Sequence, residues 1–367
     1  MAEQTVLVTG ANGYVGLHVV NQCLVKGWDV VGMVRSEKAA NRLRSFFPAA
    51  MESSQLSVAF VTDISTPEHF KPAFNVEGHS QVTAVINTAS PLINNPQDIR
   101  REVLDPAIQS ATALLEAVQR FGPSVRRVVH TGSCGAVLDP VAGLAPGKTY
   151  TAEDWNPVTY EGAVEGGPGL AYLGSKVLAE RALWAWMADH EVATFDLVSI
   201  APAGLIGPHY FGALEGKETL DLEHLNLSSQ MLWVLISPTA TRTSFSEPFH
   251  LGCWADVRDA AAAQVAAVAT PAAGGKRLLC AQRCHWQLVR DASRRAMPEL
   301  KDRMDVGTPG AFEAARDTTY DIDGSAFTKV LGLEYTPIET AVRDTYVQLV
   351  EAETKPKEEL EVGRYKM

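Results

Sequence analysis

The chain has 367 residues, 46% hydrophobic and 20% charged, enough to bury a large core and build one α/β domain with a smaller lobe. A net charge of −11 offers no basic stripe able to displace counterions from phosphates, which argues against nucleic acids and anionic membranes as partners. The five cysteines (Cys23, Cys134, Cys253, Cys280, Cys284) are odd in number, scattered and without C-x-x-C, so neither a disulfide framework nor a structural zinc is indicated. A strand end followed by a loop accounts for Cys280…Cys284-His285 better than a metal does, and no metal is expected.

The opening "MAEQTVLVTG" already reads as a strand, with no basic region followed by a long apolar one, and no apolar run approaches about eighteen residues. A soluble, cytoplasmic protein is expected, as monomer or homodimer. From there, short β-branched runs alternate with helical stretches, the pattern of βαβ units and a parallel sheet covered on both faces. The expected strands are Thr5 to Val8, Val30 to Val34, Val58 to Val61, Ala84 to Asn87, Val128 to Thr131 and Asp196 to Ile200. Helical spacing marks "YVGLHVVNQCLVKG", "EVLDPAIQSATALLEAVQRFG" and "AYLGSKVLAERALWAWMADH".

Between the first strand and first helix, "TVLVTGANGYVG" sets Gly10, Gly13 and Gly16, with Asn12, Tyr14 and Val15 among them. Glycine there permits a tight turn and close backbone approach to a pyrophosphate, while helix N–H groups attract the anion. The second strand ends in Arg35, Ser36 and Lys38, where an NAD enzyme usually offers an acid for the adenosine 2′-hydroxyl. A guanidinium can fork to a 2′-phosphate instead, so NADPH is the expected cofactor. Asp63 and Ile64, after the third strand, are placed to touch the adenine. Thr88, Ala89 and Ser90 of "INTASP" would pass beneath the cofactor.

The fifth strand delivers Ser133 to the same sheet edge, and Tyr172 and Lys176 follow one helical turn apart. A unit charge about 5 Å from a phenol, at an effective dielectric near 20, favours the phenolate by roughly 3 kcal/mol, which makes the tyrosine a usable proton donor. Two segments, Asp139 to Leu170 and Gly204 to Leu251, interrupt the alternation at strand C-terminal ends and read as substrate walls or lids. The stretch from residue 354 to 367 reads as a frayed tail.

Ser133, Tyr172 and Lys176 together with the glycine loop resemble the short-chain dehydrogenase/reductase superfamily. The motifs "NTASP", "EDWNP", "AYLGSK", "LIGP", "ADVRDAA" and "VLGLEYTPIETAVRDTY" are similar to those of fungal methylglyoxal/aldehyde reductases and the dihydroflavonol and cinnamoyl-CoA reductases, across residues from about 5 to 350. The resemblance implies a doubly wound parallel sheet, the Rossmann fold, over 1–203 with a returning segment about 249–282. A smaller mixed C-terminal substrate lobe would comprise 204–248 and 283–353. It implies that Tyr172 protonates a carbonyl oxygen, that Ser133 holds that oxygen, and that Lys176 also binds the nicotinamide ribose, with Pro202 and Leu205 completing the cofactor contacts.

Family members commonly carry Phe after "ASP", and Asn-Pro followed two residues on by an aromatic. Here Leu92, Ala201-Pro202 and Gly204 stand instead. A roomier apolar pocket for bulky or aryl carbonyl substrates is expected, lined by Leu92, Leu138, Gly204, Leu205 and Trp155, unless Phe211 or Trp233 refills it. Two other readings compete. A sugar-nucleotide epimerase or dehydratase would need cations for a second diphosphate, for which the 204–251 segment offers Lys217 and Arg242. An NADPH-sensing binding protein would not need the intact triad. His130, His209 and His250 are read as satisfied polar residues.

Overall fold

A computed structural model describes residues 4–76, 81–91, 96–191, 193–237 and 252–355. Its strands are β1 (Thr5–Thr9), β2 (Asp29–Val34), β3 (Leu56–Phe60), β4 (Ala84–Asn87), β5 (Arg127–Thr131), β6 (Thr149–Tyr150), β7 (Asp196–Pro202), β8 (Gly204–Ile206), β9 (Cys253–Asp256), β10 (Arg277–Cys280), β11 (Gln282–Arg283) and β12 (Asp321–Ile322). Seven form one sheet in the order β10-β7-β5-β4-β1-β2-β3, with every neighbouring pair parallel. The order reverses between β1 and β4, which opens a crevice at the strands' C-terminal ends.

Strand periodicity explains why this sheet is buried on both faces. In β1, Val6 and Val8 enter one apolar core with Val30, Val34 and Ile86, whereas Leu7 enters the other with Val31, Met33 and Val85. The first core is covered by helices Tyr14–Val25 and Val257–Ala269, the second of which is rich in small alanines that let the two lie close. The second is covered by helices Asp105–Phe121 and Gly167–Asp189, through side chains including Leu114, Leu115, Ala179 and Leu183.

The expected strands are all present, each within a few residues of its expected limits. The seventh, β10, lies within the returning segment of the chain and pairs with β7 from Arg277↔Ser199 to Cys280↔Pro202. The lobe carries a three-stranded sheet, β11-β9-β8, with β8 parallel and β11 antiparallel to β9, and a short parallel pair, β6 and β12. Helices Leu227–Ile236, Trp286–Ala296 and Ile338–Thr354 extend the first core. Arg42 fastens helix Glu37–Phe46 to this lobe through both oxygens of the buried Glu218. Among the described residues, no helix is long and apolar enough to cross a membrane.

Candidate active site

The glycine loop fits a dinucleotide phosphate by shape. Gly10 has φ +62°, and a Cβ there would stand 3.0 Å from the Ala89 backbone. A Cβ on Gly16 would collide with the Gly10 carbonyl oxygen. Helix Tyr14–Val25 starts at Gly13 with no side-chain cap and no acid in its first turn. Its leading N–H groups are therefore suited to an anion. Val15 packs against the core behind it. The Tyr14 phenol turns toward the lobe and donates to the Gly207 carbonyl at 2.7 Å; burial, then the Asp256 carboxylate, holds its pKa well above the ordinary phenol value.

The end of β4 is laced to the end of β1. Thr88 Oγ1 donates to the Thr9 carbonyl at 2.6 Å, Thr9 Oγ1 donates to Asn87 Oδ1 at 2.5 Å, and Ala89 N–H donates to Thr9 Oγ1 at 3.0 Å. These bonds fix Thr88, Ala89 and Ser90 next to the glycine loop. Beyond β2, Arg35 and Lys38 are exposed and Ser36 caps the following helix. Glu37, the nearest carboxylate, is held by Arg44 at 2.8 Å, away from that cationic pair. Asp63 organises its own loop: its oxygens accept from Ser65 and Thr66, bonds that lower its pKa to about 2. The Asp63 side chain is thereby committed to the turn, and Ile64 packs on the second core.

Helix Gly167–Asp189 carries Tyr172 and Lys176 on its outward turn. Lys176 Nζ lies 5.5 Å from the Tyr172 ring centre and donates to Ser90 Oγ at 2.9 Å. Tyr172 is 42% exposed, unusual for a large ring on a helix that covers a sheet. Ser133 follows β5, and its Oγ accepts from Gly135 N–H at 3.0 Å, capping the short helix Cys134–Ala136. With that lone pair engaged, the hydroxyl hydrogen is left to donate elsewhere. A cavity of about 20 Å³ lies behind Lys176, between Ser90, Ser110, His130 and Ser175, room for one water. His130 is half-buried there, and its pKa falls to about 4, chiefly by desolvation.

The expected pocket residues fare unevenly. Leu138 packs beside Cys134, Tyr150 and Tyr320, Gly204 opens β8 opposite Trp254, and Leu205 and Pro202 lie on adjoining strands. Arg277 stacks on the Trp155 ring at 3.6 Å from its centre and Arg181 approaches at 5.4 Å. Phe211 is buried in the first core and Trp233 packs against the same core. Lys217 Nζ donates to the Ala213 carbonyl at 3.1 Å. Leu92, Arg242 and His250 lie outside the described residues.

Sequence reasoning missed the buried polar residues that hold this region. Glu180 and Arg277 form an ion pair at 2.9 Å, and Asn156 is completely buried. The signal for Glu180 was its place eight residues after Tyr172, a carboxylate among apolar neighbours.

A family model described as the NAD dependent epimerase/dehydratase family matches residues 6–280. The NADPH-dependent methylglyoxal reductase GRE2 of Saccharomyces cerevisiae is 30% identical over 95% of this chain and 99% of its own length. The ketoreductase azaE of Aspergillus niger is 29% identical over 94% of this chain and 97% of its own length. The crystal structure of the yeast methylglyoxal/isovaleraldehyde reductase Gre2 complexed with NADPH superposes with a TM-score of 0.83 at 29% identity, covering 95% of this chain and 99% of that one. On its glycine loop, its sheet order and the match over 6–280, this chain belongs to the NAD dependent epimerase/dehydratase family, among the extended short-chain dehydrogenase/reductases.

Proposed function

We propose that this chain is an NADPH-dependent carbonyl reductase with Tyr172 as its proton donor. The observation that carries the reading is Lys176, which stands beside the Tyr172 ring while donating to Ser90 at the cofactor edge of the sheet. The full-length similarity to proteins named as NADPH-dependent and ketone reductases supports it.

The glycine loop would hold the pyrophosphate, and Arg35 and Lys38 the 2′-phosphate. Bound NADPH supplies the hydride that reaches the carbonyl carbon. Ser133 directs its hydroxyl hydrogen at the carbonyl oxygen, where negative charge grows. Tyr172 gives its proton to that oxygen, and the Lys176 ammonium stabilises the phenolate left behind. Lys176 also orients the ribose from the Ser90 side. The substrate is a bulky or aryl ketone or aldehyde, accommodated where Leu92 and Gly204 stand in place of larger rings and Leu138 lines the wall.

The test is cofactor oxidation with NADPH and NADH separately, across small aldehydes, diketones, aryl ketones, dihydroflavonols and a hydroxycinnamoyl thioester, beside Tyr172→Phe. NADPH-dependent turnover abolished by the substitution is the expected result. NADPH binding without turnover of any of them would overturn it.

A further inference from the structure

One turn beyond Lys176 on the same helix, Glu180 is completely buried. Its Oε1 accepts from Arg277 Nε at 2.9 Å and from the Trp184 indole N–H at 3.5 Å. A Cβ on Gly132, the residue before Ser133, would stand 3.4 Å from Glu180 Oε2, so the carboxylate lies directly against the strand end that delivers the serine. Arg277 in turn donates through Nη1 to the carbonyl oxygens of Ala152 and Asp154, at 2.6 and 2.8 Å. The next residues close the circuit. Trp155 stacks on the guanidinium, while Asn156 donates through its side chain to the Gly135 carbonyl at 2.7 Å and through its backbone N–H to the Ala136 carbonyl at 2.9 Å.

One buried ion pair thus touches the helix bearing Tyr172 and Lys176, the strand end bearing Ser133, and the loop that wraps the turn Ser133 caps. A pair of this kind is not needed for stability, because well-packed apolar side chains of similar volume commonly serve as well or better. What they lack is direction: a planar guanidinium fixes several acceptors at set angles.

We infer that Glu180 and Arg277 are positioning residues that set Ser133 relative to Tyr172 and Lys176. The inference rests on the reductase reading of the same site. It predicts that the geometry, and with it the chemical step, suffers even when the fold does not.

The experiment compares wild type with Glu180→Met/Arg277→Met, which replaces the pair by apolar chains, and with Arg277→Lys, which keeps the charge but loses the fork. The readouts are kcat, KM, the NADPH dissociation constant, melting temperature and amide hydrogen exchange by segment. In both variants kcat should fall about ten- to a hundred-fold, the scale of a small misplacement of reacting groups. The NADPH dissociation constant should stay within about two-fold. Exchange should rise in residues 131–136 and 170–180 and not in 5–34. A folded variant with kcat and exchange like those of wild type would overturn the inference, and Arg277→Lys keeps that outcome available should the double variant not fold. Absence of carbonyl turnover by the wild type would instead overturn the reductase reading, and the exchange comparison would then decide this inference by itself.

Discussion

Lys176 reaches from its helix to Ser90 just beyond the end of β4, ammonium to hydroxyl 2.9 Å apart, so the cation beside the Tyr172 ring is anchored to the neighbouring strand's end. Lys176→Met removes both the anchor and the charge beside the phenol. We expect kcat to fall at least about 100-fold. Ser90→Ala removes the anchor alone and should cost only a few-fold, mainly in KM for NADPH. Steady-state kinetics separate the two.

Ser133 has its oxygen engaged by Gly135 N–H, which leaves the hydroxyl hydrogen to donate elsewhere. Ser133→Ala should lower kcat by about 10² to 10³, the usual loss on deleting one oxyanion donor. The lost cap costs only about 1 kcal/mol, so the variant should remain folded by circular dichroism.

After β2, Glu37, the carboxylate between Arg35 and Lys38 in sequence, is paired with Arg44. Arg35→Ala should weaken NADPH binding about ten-fold or more and leave NADH binding unchanged. Arg44→Ala should release Glu37 and weaken NADPH in the same sense, though less. Fluorescence titration with each cofactor reads both; an unchanged NADPH dissociation constant in Arg35→Ala would refute the assignment.

Gly204→Tyr should hurt large ketones more than small aldehydes, measured as the ratio of kcat/KM values. Equal losses would count against a pocket wall at this position.

Burial lowers the pKa of His18 and His130 to about 4 and of His209 to about 3, against an ordinary 6.5. Below pH 6.5 the unfolded chain protonates these rings and the folded chain does not, so stability is complete above 6.5 and declines as pH falls toward 4. At pH 5.5 the buried His18 and His209 each contribute a loss on the order of 1 kcal/mol, and the half-buried His130 less. Urea midpoints at pH 7.5 and 5.5 check this, and His209→Gln should reduce the difference.

The βαβ alternation, the glycine loop and the Tyr172–Lys176 pair were legible because each is a local pattern: strand period, turn chemistry, helical spacing. The six expected strands appear for that reason. What escaped was long-range and polar. Arg277, more than a hundred residues away, stacks on the Trp155 ring, a contact that no local pattern in the wall segment announces. The Ser65 and Thr66 that donate to Asp63 are likewise indistinguishable in sequence from ordinary loop residues. Glu180 has its partner on β10, 97 residues along the chain and beyond any local pattern.

The last strand of the main sheet has a consequence for how the chain can be cut. Ser199 on β7 pairs with Arg277 on β10 only after the chain has left the sheet, built β8, β9 and the lobe between them, and returned. A fragment ending near residue 203 would therefore expose the β7 edge and strip Glu180 of its partner, so it should aggregate instead of folding as a free-standing nucleotide-binding module. Completion of the sheet must also await this distant pairing, which places it late and makes it slow during folding.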